Sequence, residues 1–278
     1  MPKTIVVTGA SDGIGAAAAR ELREAGHTVV VVGRSPAKTR QVAASIGADH
    51  QVADFADLNE VRQLAATLQR RYPRIDVLAN NAGGVFGTRD KTIDGFEKTF
   101  QVNHLAPFLL TTLLLPTLLS SNATVIQTAS IAARLYGNLD LDDLDNDIRY
   151  SANKAYGDSK LENILFTREL DARYRSLGLN AVAFHPGIIG SSFAAGTTSL
   201  AMRVTYANPL VKPFLGSTRK GADQLVWLAE TDPGQAWQPG SYYEKRKIAT
   251  RVNPQSADRE LARRLWDMSE ARLATVAQ

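Results

Sequence analysis

A tyrosine and a lysine four positions apart carry the clearest chemistry in this sequence. Tyr156 and Lys160 lie in the stretch 149–160, which opens a segment whose apolar residues recur with the period of an α-helix. On a helix they would stand one turn apart on the same face, with Cβ atoms about 5–6 Å apart. An ammonium beside a phenol favours the phenolate and lowers its pKa from about 10. The pair could therefore exchange a proton with a carbonyl or an alcohol, although in isolation this spacing more often marks a surface pair.

Composition places the chain among globular proteins that bury a substantial core. It has 278 residues, of which 44% are apolar and 22% are charged, and α/β folds often reach this length as one domain. Cysteine is absent, which excludes disulfides and cysteine nucleophiles and fits a cytoplasmic location. The net charge is +4. Because the basic residues are dispersed, apart from those in 244–247, we expect no nucleic-acid partner.

The most apolar run, 105–119, does not predict a membrane span. It is shorter than the roughly 20 residues that cross a bilayer, and Pro107 and Pro116 interrupt it. We expect a buried or subunit-interface helix there instead. The chain opens directly into an apolar strand at Thr4, so we expect no signal peptide.

Strand-like and helix-like segments alternate along the chain. This alternation predicts an α/β fold, a doubly wound parallel sheet with helices on both faces. The predicted strands are 4–7, 27–32, one ending at 52–55, 76–79, 123–128, 180–184 and 240–243. The predicted helices are 16–25, about 94–119, and those starting near 149, 220 and 256. In such a sheet, ligands bind beyond the carboxyl ends of the strands.

The turn after the first strand predicts a dinucleotide site. Its sequence is Thr8-Gly9-Ala10-Ser11-Asp12-Gly13-Ile14-Gly15. Glycines let the backbone approach a pyrophosphate, and a helix N-terminus supplies free N–H groups and partial positive charge. The spacing is Gly-x-x-x-Gly-x-Gly rather than the commonest fingerprint. The alternative is a tight turn that needs glycine only for steric reasons.

The end of the second strand indicates which dinucleotide is bound. An acidic residue there would bind the ribose 2′-hydroxyl of NAD, but the sequence has Gly33 and Arg34, with Lys38 one helical turn on. A guanidinium binds phosphate through paired N–H donors. We therefore predict NADP(H) rather than NAD(H). The alternative is that Arg34 is an ordinary exposed side chain.

The third and fourth strand ends offer further cofactor contacts. Asp54 could accept a hydrogen bond from an adenine amino group, or it could help to cap the helix that begins near Asp57. After the fourth strand, the small residues of the segment Asn80-Asn81-Ala82-Gly83-Gly84 would let a flat cofactor lie against the strand ends. The asparagine side chains there can tie adjacent strands together.

Asn103 and Ser130 complete the candidate site. Asparagine is disfavoured inside a helix, so Asn103 indicates either a function or a local helix distortion around a water. Ser130 follows the fifth strand, at the same sheet edge as the glycine turn. The acidic segment 134–148 lacks the spacing of a calcium loop, so we interpret it as solvated surface and predict no metal site. We interpret His185, in a turn before a proline, as structural rather than catalytic.

As a set, these motifs closely resemble the short-chain dehydrogenase/reductase family, in the family's order and over nearly the whole chain. The motifs are the glycine turn, Asn80-Asn81-Ala82-Gly83, Asn103, Ser130, Tyr156-x-x-x-Lys160 and Pro186-Gly187. The resemblance implies a seven-stranded Rossmann-type sheet and a nicotinamide cofactor. The positions that it implies at the cofactor are Gly9, Ser11, Asp12, Gly13, Ile14, Gly15, Arg34, Lys38, Asp54, Phe55, Asn81, Ala82, Gly83, Tyr156, Lys160, Pro186, Gly187 and Ile189.

The resemblance also implies catalytic roles. Tyr156 would be the general acid and base, and Ser130 would donate a hydrogen bond to the substrate oxygen. Lys160 would hold the nicotinamide ribose and tune Tyr156, while Asn103 would support a water that links Lys160 to solvent. The segment 134–148 lengthens the gap from Ser130 to Tyr156 beyond what is usual. This departure is similar to the branch that contains retinol dehydrogenases, protochlorophyllide reductases and the WW-domain oxidoreductase, which act on bulky lipophilic substrates.

We predict a single domain with three functional parts. They are a cofactor-binding and catalytic core, a substrate-binding loop, and a C-terminal part with the last helices and strand: 1–187, 188–218 and 219–278 of the whole 1–278. The loop contains Phe193, Met202, Tyr206 and Phe214, which would form an apolar pocket or pack on one another. The helices at 109–119 and around Tyr156 resemble the family's dimer-forming pair. They suggest a homodimer or homotetramer, although relatives with this insertion can be monomeric.

The leading hypothesis is an NADP(H)-dependent carbonyl reductase or alcohol dehydrogenase whose small-molecule substrate is a lipophilic ketone, aldehyde or alcohol. A non-catalytic NADP-binding regulatory or scaffold protein is one alternative, but it would not need Ser130, Asn103, Tyr156 and Lys160 together. An epimerase or dehydratase is another. Those enzymes usually carry a larger C-terminal substrate domain than the about 90 residues that follow Gly187.

Overall fold

The sheet at the centre of the molecule contains the seven parallel strands that the sequence predicts, with one short strand added at its edge. A computed structural model describes residues 1–187 and 217–276. The strand order is β3-β2-β1-β4-β5-β6-β7-β8, and only β8, against β7, is antiparallel. The strands are β1 Thr4–Thr8, β2 Thr28–Gly33, β3 Asp49–Val52, β4 Val77–Asn80, β5 Thr124–Thr128, β6 Asn180–His185, β7 Tyr242–Glu244 and β8 Lys247–Ile248.

Helices cover both faces of the sheet, as predicted. They are α1 Gly13–Glu24, α2 Pro36–Ile46, α3 Leu58–Arg71, α4 Lys98–Ser120, α5 Ala132–Leu135, α6 Ala152–Tyr174, α7 Thr218–Glu230 and α8 Arg259–Ala274. One hydrophobic core lies between the sheet and α3, α4, α6 and α8, and a second lies between the sheet and α1, α2 and α7. Two covered faces explain why the strands read as nearly continuous apolar runs.

Helix α4 is distorted where Asn103 led us to expect it. The backbone is π-helical over Gln101–Leu105, a widened turn of the kind often found at functional sites. Contrary to the sequence interpretation, Pro107 and Pro116 do not interrupt the helix. Pro107 lies two residues after the last residue of the π-helical turn, Leu105, where the usual hydrogen-bond ladder is already altered. By length and composition α4 could cross a membrane. However, 61% of its most apolar 18-residue stretch is buried inside the fold, as expected of a core helix.

Helix α6 is buried on nearly every side, because α8 packs along the face that the sheet leaves open. The Trp266 ring of α8 lies 4.8 Å from the Phe108 ring of α4 and 5.7 Å from the Phe166 ring of α6, centroid to centroid. α8 of the same chain therefore covers part of the helix pair that the family resemblance places at a dimer interface, whereas Leu113 of α4 is exposed. The homodimer or homotetramer stays a prediction.

The segment 134–148 is only partly the solvated surface that its charge indicated: Asp140, Asp142 and Asp147 are exposed, whereas part of the segment is buried. Asp145 is only 5% exposed, and its carboxylate accepts hydrogen bonds from the Glu97 N–H at 2.7 Å and from Arg272 of α8 at 2.5 Å. The acidic residues are interleaved with leucines, whose burial draws the segment into the core: Leu139, Leu141 and Leu144. Within 1–187 and 217–276, no group of His, Asp and Glu side chains could hold a metal ion.

Candidate active site

The glycine turn packs so closely against the end of β4 that it has no room for a side chain at Gly9 or Gly15. Gly9 has φ +65°, and a Cβ there would lie 2.7 Å from the Cα of Ala82. A Cβ on Gly15 would lie 2.5 Å from the Gly9 carbonyl oxygen. Real Cβ atoms do not approach other atoms this closely, so glycine is required at both positions. The turn thus presents bare backbone at the carboxyl end of the sheet, which fits a dinucleotide.

Asn81 fixes the three strand ends that border this turn. Its Nδ2 donates to the Thr8 carbonyl of β1 at 2.9 Å, and its Oδ1 accepts from the Thr128 hydroxyl of β5 at 3.3 Å. The Thr8 hydroxyl in turn accepts from the N–H of Asn81 and from that of Ala82. The expectation that an asparagine ties the strands together is therefore confirmed for Asn81.

The N-terminus of α1 offers anion-binding donors. Asp12 caps the helix, since its carboxylate accepts from the Gly13 N–H at 2.7 Å. The N–H groups of Ile14 and Gly15 have no acceptor within the described part of the chain. Free N–H groups and the helix dipole at this end favour a phosphate group.

The end of β2 brings basic residues to the rim of the glycine turn. A Cβ on Gly33 would lie 2.7 Å from the Cβ of Ser11, so Arg34 follows directly beside the turn. The Arg34 side chain is exposed and has no hydrogen bond or ion pair to the other described residues. Lys38 Nζ lies 3.9 Å from the Asp12 carboxylate, a loose and exposed contact. Ser11, Arg34 and Lys38 thus meet at one corner.

Asp54 forms hydrogen bonds within its own turn, and its predicted hydrogen bond to an adenine stays a prediction. Its Oδ1 accepts from the Ala56 N–H at 3.0 Å, and its own N–H donates to Glu60 of α3 at 2.7 Å. The side chain that caps α3 is Asp57. The Phe55 side chain is buried in the core, so only its backbone can face a cofactor.

Tyr156 and Lys160 stand on one face of α6, as predicted, and that face points toward the strand ends. Lys160 Nζ lies 5.6 Å from the centroid of the Tyr156 ring and donates to the Thr128 carbonyl of β5 at 2.9 Å. A Cβ on Gly83 would lie 3.3 Å from Nζ, so the bare backbone after β4 adjoins the amine. Burial lowers the pKa of Lys160 to about 7.

Ser130 lies in the turn after β5, two residues before Ala132. The Ser130 Oγ accepts from the Ala132 N–H at 3.2 Å, which leaves its hydroxyl proton for another acceptor. Tyr156 packs in a small apolar cluster with Ala132 and Val85. His185 Nδ1 accepts from the N–H of Ile131 at 3.4 Å, so this histidine supports the serine turn, in line with a structural role.

Asn103 clamps the backbone after β4 to α6. Its Oδ1 accepts from the Gly84 N–H at 2.9 Å, and its Nδ2 donates to the Gly84 carbonyl and to the Ser159 hydroxyl, both at 3.0 Å. The π-helical turn gives Asn103 the position from which it can reach both neighbours. Its predicted support of a water beside Lys160 stays a prediction.

Comparison with known proteins decides the family. The model of a family described as short chain dehydrogenase matches residues 3–200. This chain belongs to the short-chain dehydrogenase family. It is therefore an oxidoreductase that acts on CH–OH and C=O groups, in a family that uses nicotinamide cofactors.

The relatives of this dehydrogenase include reductases and retinol dehydrogenases. A protein of Streptomyces sp. (strain C5), named as a proposed daunorubicin C-13 ketoreductase, is 43% identical over 99% of this chain and 94% of its own length. Mouse retinol dehydrogenase 14 is 34% identical, over 96% of this chain and 85% of its own. A short-chain dehydrogenase of Shigella flexneri 2a, solved with NADP, is 27% identical with a TM-score of 0.63, over 82% of this chain and 90% of its own.

The last predicted cofactor contacts of the dehydrogenase fall at the end of β6. Pro186 and Gly187 follow that strand, and Gly187 has φ +91°, which favours glycine. Ile189 lies outside the described residues. So do the loop residues Phe193, Met202, Tyr206 and Phe214, which therefore stay predictions.

The sequence analysis missed two buried polar residues near the site, Asn163 and His104. Asn163 Nδ2 donates at 3.4 Å to the same Thr128 carbonyl that accepts from Lys160. His104 Nε2 lies 3.0 Å from the Ser269 hydroxyl of α8. Burial lowers the pKa of His104 to about 3, so this side chain is neutral. The available signal was a second polar residue, directly after Asn103, in an apolar helix.

The buried amine of the dehydrogenase makes its stability depend on pH. The folded-state pKa of Lys160 is about 7, below the ordinary value of 10.5, so between these values the folded protein binds fewer protons here than the unfolded chain. Stability therefore rises with pH across this window. Relative to Lys160→Met, we expect the wild type to gain about 2 kcal/mol of unfolding free energy from about pH 7 to about pH 9. Urea titrations of the cofactor-free protein measure it, with Lys247→Met, an exposed lysine, as the control. Parallel pH profiles for the wild type and Lys160→Met would contradict it.

Proposed function

We propose that this dehydrogenase is an NADP(H)-dependent carbonyl reductase, or an alcohol dehydrogenase in the reverse direction, for a lipophilic ketone, aldehyde or alcohol. The observation that carries the proposal is the placement of the Lys160 amine between the bare backbone of Gly83 and the Tyr156 ring. Ala132, two residues after Ser130, packs with that ring. A phenol, an amine and a hydroxyl at the edge of a nucleotide cradle are the groups that reduction of a carbonyl needs.

The side chains divide the chemistry among them. The backbone of the glycine turn would hold the pyrophosphate, and Lys160 would hold the ribose; a bound nicotinamide supplies or accepts the hydride. Tyr156 gives its phenolic proton to the carbonyl oxygen as negative charge develops there. Ser130 donates a hydrogen bond to the same oxygen. Lys160 stabilises the tyrosinate that is left, because an ammonium in a buried site acts on a nearby anion with little screening.

The preference for NADP(H) over NAD(H) rests on the corner formed by Ser11, Arg34 and Lys38. No carboxylate follows Gly33 to bind a ribose 2′-hydroxyl, while the Arg34 guanidinium is exposed beside the turn. The Shigella dehydrogenase solved with NADP is consistent with this choice.

Replacement of Arg34 is expected to weaken the binding of NADPH but not that of NADH. Hydrogen bonds to charged groups contribute about 1.5–3 kcal/mol, so Arg34→Gln should raise the KM for NADPH roughly tenfold to a hundredfold and leave the KM for NADH nearly unchanged. Steady-state kinetics with both cofactors measures this. Arg40→Gln removes another exposed arginine of α2 as the control. Equal losses with NADPH and NADH would argue against 2′-phosphate binding by Arg34.

The lipophilic substrate is supported by the retinol dehydrogenase relatives and by the apolar side chains of Val85 and Ala132 around the Tyr156 ring. A panel of aryl and alkyl ketones, aldehydes and alcohols with both cofactors tests the proposal. We expect NADPH-dependent reduction of apolar ketones or aldehydes. If the protein binds the cofactor but converts none of these compounds, the proposal is contradicted.

We also propose that the enzyme acts in the cytoplasm.

A further inference from the structure

A small cavity adjoins Ser130 on the side away from the glycine turn. Its volume is about 10 Å³, and Ser130, Tyr242 and Glu244 line it together with Arg134 and Arg251. A space of this size holds one water-sized group. It can accept a single oxygen atom of a substrate but not a chain of carbons.

Tyr242 lines this cavity, and its hydroxyl stays protonated. It lies in β7 on the sheet face that packs against α6, whereas Tyr243 packs on the opposite face. The Tyr242 hydroxyl makes no hydrogen bond to the other residues that the structure describes. Burial, then the charges of Glu244 and Tyr156, raise the pKa of Tyr242, and Arg134 acts against them. Tyr242 is therefore a hydrogen-bond donor that does not compete with Tyr156 as an acid or base.

Apolar side chains also line the cavity, namely Ile131, Ala133, Ile164 and Val252. Its charged and hydrogen-bonding groups nevertheless favour an oxygen atom over carbon. The guanidinium groups of Arg134 and Arg251 form no ion pair with the described carboxylates. Glu244 contributes a carboxylate to the same lining. An apolar group placed here would take water from these charges and from the Tyr242 hydroxyl without replacing its hydrogen bonds, which is unfavourable.

We propose that this cavity is a substrate subsite for a hydroxyl or carbonyl oxygen on the carbon next to the reacting carbonyl, with Tyr242 as its hydrogen-bond donor. This inference rests on the proposed function, because the position of Ser130 beside the reacting oxygen defines which carbon adjoins the cavity. The preferred substrates are then α-oxygenated lipophilic ketones rather than plain hydrocarbon ketones.

Two ketones of nearly equal shape test the subsite. 2-Hydroxyacetophenone and propiophenone differ only in a hydroxyl or a methyl group on the carbon next to the carbonyl. A hydrogen bond of ordinary strength corresponds to about tenfold in kcat/KM, so Tyr242→Phe should lower the ratio of kcat/KM for the two ketones about tenfold. The intrinsic reactivity of each ketone is the same for every variant, so the change in the ratio measures the subsite. Tyr243→Phe, the same substitution on the other sheet face, should keep the wild-type ratio.

An unchanged ratio in Tyr242→Phe would overturn the subsite and leave the proposed function standing. An enzyme that reduces neither ketone nor any other carbonyl compound would contradict the proposed function instead. In that case, calorimetric titration of both ketones into the NADP⁺-loaded protein measures their affinities and tests the subsite without turnover. Tighter binding of 2-hydroxyacetophenone to the wild type but not to Tyr242→Phe supports it, and equal affinities overturn it.

Discussion

Tyr156→Phe is expected to lower kcat for an accepted ketone by about 10³-fold, since general acid catalysis contributes about 10²–10⁴-fold. The variant keeps the aromatic ring that packs with Val85 and Ala132 and loses only the hydroxyl. NADPH binding should persist, because the glycine turn and Arg34 are untouched. Ketone-dependent NADPH consumption measures the loss of turnover, and fluorescence titration measures cofactor binding.

Tyr136→Phe provides a matched control for this experiment. Tyr136 lies just after α5 and its side chain is exposed, so the same loss of a hydroxyl should leave turnover at the wild-type level. Full activity of Tyr156→Phe would refute the assignment of this phenol as proton donor. Loss of NADPH binding along with turnover would show a structural role instead.

Ser130→Ala is the second large effect that we expect. Removal of one preorganised donor to a developing oxyanion costs about 10²–10³-fold in kcat, equivalent to about 2.7–4 kcal/mol. The Ser130 Oγ accepts from the Ala132 N–H, so its hydroxyl proton is available for the substrate oxygen. Steady-state kinetics should show the loss in kcat, with an unchanged KM for NADPH.

Two further variants separate chemistry from folding at Ser130. Ser130→Thr keeps a hydroxyl and should recover part of the activity. Ser120→Ala removes an exposed hydroxyl from the end of α4, where it donates to the Thr117 carbonyl, and should leave kcat at the wild-type value. Equal kcat values for Ser130→Ala and the wild type would remove this serine from the mechanism.

The features that the sequence predicted best depend on local chemistry. The glycine turn follows from steric limits at one strand-to-helix junction, and the Tyr156–Lys160 pairing follows from the period of one helix. Asn103 was recognisable because asparagine conflicts with an apolar helix, and the structure resolves that conflict with the π-helical turn.

The features that it did not predict depend on contacts between distant parts of the chain. The acidic segment 134–148 was interpreted as solvated surface, because its own residues do not indicate that Arg272 of α8 binds Asp145. The burial of His104 likewise depends on α8, which brings the Ser269 hydroxyl to the histidine. The sequence indicated only that Tyr242 lies in a strand. Its place beside Ser130 depends on the order of β5, β6 and β7 in the sheet.

The most direct test of the central claim follows NADPH and product together in the purified protein. With an aryl ketone as substrate, we expect each mole of NADPH consumed to yield one mole of the alcohol. This conversion should be lost in both Tyr156→Phe and Ser130→Ala. NADPH that binds but is not consumed with any ketone or aldehyde, or alcohol formation that survives in both variants, would contradict carbonyl reduction at this site.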